Sequence, residues 1–239
     1  MFNKNELDEL LTRVGIEISK PIKIYMIGGC ALSFKDLKPA TKDIDIIVTS
    51  RDDFDIFDSS MKKNGFKSMS DKESEFYATA LAVYMKEESR IDVFLKEVGK
   101  MLVLSYGMTQ RAEKYKEYGK LGVYLVSNED IFLFKLMTSR EGDTYDCDRL
   151  MKEGLDYDVV YNEIIGQSKE EGKRWFFWVY ESLCKLENHN SIKTPLKNKV
   201  FALVKKHWKE KPSGFMEDVA NKEQHIPDKK LLNSLNYKI

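Results

Sequence analysis

Two acids set inside an apolar strand constrain this chain most. Asp43 and Asp45 open the run D-I-D-I-I-V, ending at Val48. Side chains alternate across a strand, so both carboxylates fall on one face and Ile44, Ile46 and Val48 on the other. Two like charges so placed repel unless they share a proton or a cation. A third acid, Asp92, stands among strand formers in Arg90-Ile91-Asp92-Val93-Phe94, in a strand able to lie alongside the first. Carboxylates among apolar neighbours are costly unless something neutralises them. Three together point to divalent magnesium, which takes oxygen ligands and completes its shell with water and substrate phosphates. In that reading Asp43 and Asp45 hold the ions, and Asp92 completes a site or accepts a proton. The plain alternative is three solvated acids at strand ends.

Upstream, the apolar run Ile22–Ile27 ends in Gly28-Gly29, with thirteen residues between Gly29 and Asp43. A glycine pair between a strand and a short helix lets backbone amides approach a phosphate. The helix N-terminus adds unpaired N–H groups, and Ser33, one turn on, offers a hydroxyl donor. A tight strand-to-helix turn is the alternative. The spacing is neither that of a P-loop nor that of a dinucleotide-binding fold.

The 239 residues suit one large or two small domains, and 42% hydrophobic content is enough for a real core. With 39 basic and 39 acidic residues the net charge is zero, which argues against a generic nucleic-acid coat protein. Cys30, Cys147 and Cys184 are odd in number and far apart, so no disulfide framework is expected and a cytoplasmic setting is the natural one. No window is apolar enough for a membrane span, and no secretory signal opens the chain.

Periodicity predicts an opening helix capped by Asn3 and Glu6 and closed at Gly15. Strands are expected at 22–27, 43–48, 77–85, 90–95 and 123–126, with helices near 52–64 and 128–138. Beyond about residue 143 the pattern is helical only, near 144–153, 157–167, 172–187 and 195–209, before a polar tail with Pro212 and Pro227. An α/β domain over 1–140 and a helical domain over 141–239 follow. Lys193–Lys211 carries seven lysines and one acid, with Phe201, His207 and Trp208 interleaved. Such a run can suit an RNA backbone, but reads first as a solvated helix face over a buried stripe of Phe201, Leu203, Val204 and Trp208. The dense aromatics Trp175, Phe176, Phe177, Trp178 and Tyr180 read as helix-packing core or dimer surface.

Together, Gly28-Gly29, the gap and Asp43-Ile44-Asp45-Ile46 resemble the signature of the nucleotidyltransferase superfamily, the DNA polymerase β-like fold. Asp92 resembles its third metal-site carboxylate. The segment Ser127–Asp148, with Lys135, Arg140, Asp143 and Asp146, is similar to one in AbiEii-like nucleotidyltransferases, where a helical lysine precedes an R-x-x-D-x-x-D pattern. The resemblance covers roughly residues 20–150. This chain has Gly29-Cys30-Ala31 where such enzymes often carry Gly-Ser, which bears on substrate more than on chemistry.

The resemblance implies an α+β fold: a mixed β-sheet with flanking helices, followed by a helical C-terminal domain. It implies Mg2+- or Mn2+-dependent transfer of a nucleoside monophosphate from an NTP such as ATP to an acceptor hydroxyl, releasing pyrophosphate. Asp43, Asp45 and Asp92 would be catalytic and metal-binding, and Gly28, Gly29, Ser33 and Lys135 nucleotide-binding. Asp143 and Asp146 would orient Lys135 or Arg140, or simply favour a helix N-terminus. The acceptor would be RNA or protein, as in toxin–antitoxin systems with an antitoxin partner. A small-molecule acceptor of the aminoglycoside type, or a non-catalytic nucleotide-binding module, are the alternatives.

Overall fold

The computed structural model describes residues 2–69, 80–86, 89–99, 102–138, 140–170, 175–210 and 229–235. Contacts divide the chain into Met1–Ile131 and Phe132–Ile239. The division falls inside a helix, where sequence pattern suggested 140.

The first unit opens with α1 (Lys4–Ile16), β1 (Ile22–Ile27), α2 (Gly28–Phe34), β2 (Asp43–Val48) and α3 (Arg51–Lys63). Next come β3 (Lys67–Met69), β4 (Ala80–Lys86), β5 (Ser89–Leu95), and the short β6 (Glu97–Val98) and β7 (Leu102–Val103). Then follow α4 (Tyr106–Arg111), β8 (Glu113–Tyr118), β9 (Leu121–Leu125) and the start of α5 (Asn128–Thr138). Seven strands form one mixed sheet in the order β3-β4-β5-β2-β1-β9-β8. Among the described residues only the β2–β5 and β1–β9 pairs are parallel. The fold is α+β, a mixed sheet with flanking helices.

Local chemistry places these elements. Asn3 accepts from Glu6 N–H while Glu6 accepts from Asn3 N–H, closing a capping box on α1. Ser50 caps α3 through Asp53 N–H, and Ser127 caps α5 through Asp130 N–H. Leu7, Leu10, Leu11 and Val14 of α1 are buried, as are Phe54, Phe57 and Met61 of α3. Ser60 ties the two helices by donating to the Val14 carbonyl at 2.6 Å. From β4, the buried Tyr84 hydroxyl donates to Asp58 of α3 at 2.7 Å.

The short β3, β6, β7, α4 and the last helix, Lys229–Ser234, were not expected from sequence, and two further departures have a clear physical cause. The polar segment E-K-Y-K-E-Y forms edge strand β8, whose exposed charged side chains discourage pairing with another chain. Helix α1 continues through Gly15 instead of closing there. Gly15 is chosen by close approach: a Cβ there would sit 2.8 Å from the Tyr118 carbonyl carbon.

The second unit is helical: α6 (Glu141–Glu153), α7 (Tyr157–Glu170), α8 (Trp175–Asn190), α9 (Leu196–Glu210) and α10 (Lys229–Ser234). Phe177, Val179 and Leu183 of α8 are buried, with Val160 and Ile164 of α7 and Val200 and Val204 of α9. The dense aromatics of α8 therefore contribute to a core. Three lysines of α9 are engaged locally: Lys197 with Glu187, Lys199 with Asp158, and Lys205 over the Phe201 ring. Phe201 itself stacks on Tyr180 at 4.8 Å between centroids. The tail with Pro212 and Pro227, and the expected strand start at Tyr77, lie outside the described residues. Among the described residues no helix is long and apolar enough to cross a membrane.

Replacing an interior helix glycine with alanine normally stabilises by about 1 kcal/mol. At Gly15 the sign reverses, because the new methyl meets the backbone of β8. Gly15→Ala should lower the urea midpoint, and a raised midpoint would show that the strand yields freely.

Candidate functional site

Strand β2 lies between β1 and β5, so its acids stand in the middle of the sheet. In the parallel β2–β5 pair, Asp43 is opposite Arg90 and Asp45 opposite Asp92. Laterally paired residues share a face, and so do residues two apart on one strand. Asp43, Asp45, Arg90 and Asp92 thus form a two-by-two patch. Asp92 is 1% exposed, while Asp43 and Asp45 are half-buried. Arg90 Nε donates to Asp92 Oδ1 at 2.9 Å, so the deepest acid carries its own countercharge. Sequence pattern singled out the three carboxylates and passed over Arg90, although its i−2 position already put it on their face.

Among the described residues no three His, Cys, Asp or Glu side chains gather into a ready metal cluster. The chemistry of the donor set still fits a hard cation. The face offers carboxylate oxygens, with Asp43 and Asp45 within reach of solvent.

The glycine turn is packed onto this patch. Gly28 has φ +63°, a left-handed conformation natural to glycine, and a Cβ there would stand 2.6 Å from Asp45 Oδ2. A Cβ on Gly29 would stand 2.5 Å from Thr41 Oγ1 and 3.9 Å from Lys38 Nζ. Helix α2 starts at Gly28, two residues earlier than expected, and has seven residues. So short a helix carries little macrodipole, and the turn's own amides are what remains for an anion.

Ser33, the expected phosphate donor, is 2% exposed, and its hydroxyl donates to the Lys38 carbonyl at 3.1 Å. Its observed contact is with the loop between α2 and β2. That loop is held elsewhere too. Leu37 N–H donates to Leu32 O, Lys4 pairs with Asp36, and Thr41 bridges Phe2 through both backbone groups. Thr41 Oγ1 donates to the Asp43 carbonyl at 2.9 Å.

In the second unit, Lys135 is 7% exposed, with Nζ 2.6 Å from Asp143 and 3.0 Å from Asp146. Arg140 Nε and Thr138 Oγ1 both donate to the other Asp143 oxygen. The carboxylates thus hold Lys135 and Arg140, the network that the R-x-x-D-x-x-D spacing suggested. Burial pushes the Asp143 carboxyl up, but Arg140, Lys135 and Thr138 outweigh it and hold the group below its ordinary range. Burial pushes the Lys135 ammonium down, but Asp143 and Asp146 outweigh that and hold it above its ordinary range.

The signs give a pH window. The depressed Asp143 contributes stability above its ordinary value of 3.8, lost as pH falls through the lower folded value. The raised Lys135 contributes stability in full below 10.5, lost as pH rises through the higher folded value. Lys135→Met removes the buried cation between Asp143 and Asp146, leaving Asp143 only its Arg140 and Thr138 bonds, and should cost about 3–5 kcal/mol by chemical denaturation at neutral pH. The penalty of Asp143→Asn should hold between about pH 4 and 10 and shrink at both extremes. A flat penalty across that whole range would rule out the ionic account.

None of the curated proteins matches this chain. One family pattern does, over residues 5–175, most of the chain and all of the patch, the glycine turn and the Lys135 network. With that match added to the acid pair, the glycines and the mixed sheet, the chain belongs to the family described as "Nucleotidyltransferase of unknown function (DUF6036)".

Proposed function

We propose that this protein is a magnesium-dependent nucleotidyltransferase that moves a nucleoside monophosphate from an NTP to a hydroxyl on RNA or protein. The observation that supports this most is the β2–β5 register, which sets Asp45 beside Asp92 while Gly28 packs against Asp45. Asp43 and Asp45 would hold the ion, with Asp92 behind them. Bound there, the ion would neutralise phosphate charge and lower the barrier to attack.

The chain's own groups do the rest. The acceptor oxygen bonds to the α-phosphorus as the bond from that phosphorus to the bridging oxygen breaks. Pyrophosphate leaves with that oxygen, and the hydroxyl proton passes to a carboxylate of the patch. The Gly28-Gly29 turn presents backbone amides to the phosphates, where any side chain would strike Asp45 or Thr41. Arg90 neutralises Asp92, so that two net negative charges remain for the cation among the four charged groups. Lys135 would have to leave two carboxylates to reach a triphosphate, and it is assigned no phosphate contact. A toxin–antitoxin setting in the cytoplasm, with an antitoxin partner, goes with this reading.

The test is transfer of α-labelled NTP into cell extract with magnesium, beside Asp43→Asn/Asp45→Asn. Label should move to RNA or protein with the intact acids and fall by at least about 100-fold in the double variant. Label on a small molecule alone would replace the acceptor class. Nucleotide binding without any transfer would leave a binding module.

A further inference from the structure

The triphosphate needs a cation near the glycine turn, and sequence pattern offered Lys135 for it. Lys135 is committed to Asp143 and Asp146 in the second unit. Another lysine lies at the turn itself. Lys38 Nζ is 3.9 Å from the position a Gly29 Cβ would occupy, while Asp45 Oδ2 lies against the neighbouring Gly28.

We propose that Lys38 binds the polyphosphate tail of the nucleotide, acting with the Gly28-Gly29 amides beside the Asp43/Asp45 pair. The inference deepens the nucleotidyltransferase reading and rests on it. Three observations carry it. First, the Lys38 ammonium and the Asp45 carboxylate approach adjacent glycines of one turn, so a phosphate there meets amide donors and a cation together. Second, the loop that carries Lys38 is fixed by named bonds. Ser33 donates to the Lys38 carbonyl itself, Asp36 pairs with Lys4, and Thr41 is bridged to Phe2. The backbone of the lysine is therefore placed in advance. Third, Lys38 is half-buried, so its charge acts in a medium that screens less than open water.

Ser33 then has a role after all, one step removed from the phosphate. It is a positioning residue, acting through the loop.

The experiment is equilibrium binding by calorimetry at fixed magnesium, with each of the four NTPs against its own monophosphate. Wild type, Lys38→Gln, Lys38→Arg and Lys42→Gln are compared, each with its melting temperature recorded. Lys42 is exposed and neighbours the same strand, so it controls for loss of charge alone. Lys38→Gln should weaken NTP binding by about tenfold, the scale of one charge-assisted hydrogen bond. Monophosphate affinity should change by less than about twofold, Lys38→Arg should recover much of the loss, and Lys42→Gln should bind as wild type.

Equal weakening of triphosphate and monophosphate, or no weakening at all, would overturn the assignment while leaving the enzyme reading intact. Wild type binding triphosphates no better than monophosphates would remove the nucleotidyltransferase reading and this inference together.

Discussion

Everything at the site depends on strand β2 being paired on both sides. With β1 antiparallel on one side and β5 parallel on the other, the strand cannot slip by one residue without exchanging its faces. The apolar set Ile44, Ile46 and Val48 is buried, so the register is set by hydrophobic burial. The acids are passengers on that register. They are delivered to one face because Ile44 and Ile46 are delivered to the other. A fold that needs Ile44 and Ile46 inside has already chosen where Asp43 and Asp45 will stand.

That placement has a cost, and the neighbours show how it is limited. Asp92 is nearly fully buried, and a carboxylate so placed is tolerated only when paired. Arg90 supplies the pair from two residues upstream, on the same strand and the same face. The buried Lys135–Asp143–Asp146 group in the second unit solves the same problem in the opposite sense, two acids about one cation. Buried ion pairs add little stability over an apolar replacement, but they punish the loss of either partner. Both groups therefore resist single substitutions for electrostatic reasons that packing alone would not give.

Much of this was legible in the sequence, and what was not has physical causes. Period-two alternation exposed β2 and β5 because one face is apolar and the other carries Asp43, Asp45, Arg90 and Asp92. Capping residues marked the starts of α1, α3 and α5 because their side-chain oxygens satisfy backbone donors that nothing else reaches. Strand β8 was missed because an edge strand with charged side chains lacks the apolar alternation that announces a strand. Gly15 misled because glycine usually ends helices, whereas here it clears the Tyr118 backbone, a contact between residues about a hundred positions apart. Ser33 sits where a phosphate donor was expected, but its partner is set by how the next loop folds back.

The lysines show the same limit from the side of function. Lys135 stands among apolar neighbours, which correctly implied burial. Burial alone does not reveal whether a cation waits for a ligand or is already matched, and the partners eight and eleven residues on decide it. Lys38 lies in a loop without periodicity, between a proline and a leucine, and no local pattern marks it. What distinguishes it is distance to a turn nine residues earlier, a turn that only glycine can make and that Asp45 closes from the other side. Spacing motifs identify the residues that a strand or helix must present. Residues that a loop brings to the same point carry no such mark, so the chemistry a family shares is easier to read from sequence than the contacts by which one member holds its substrate.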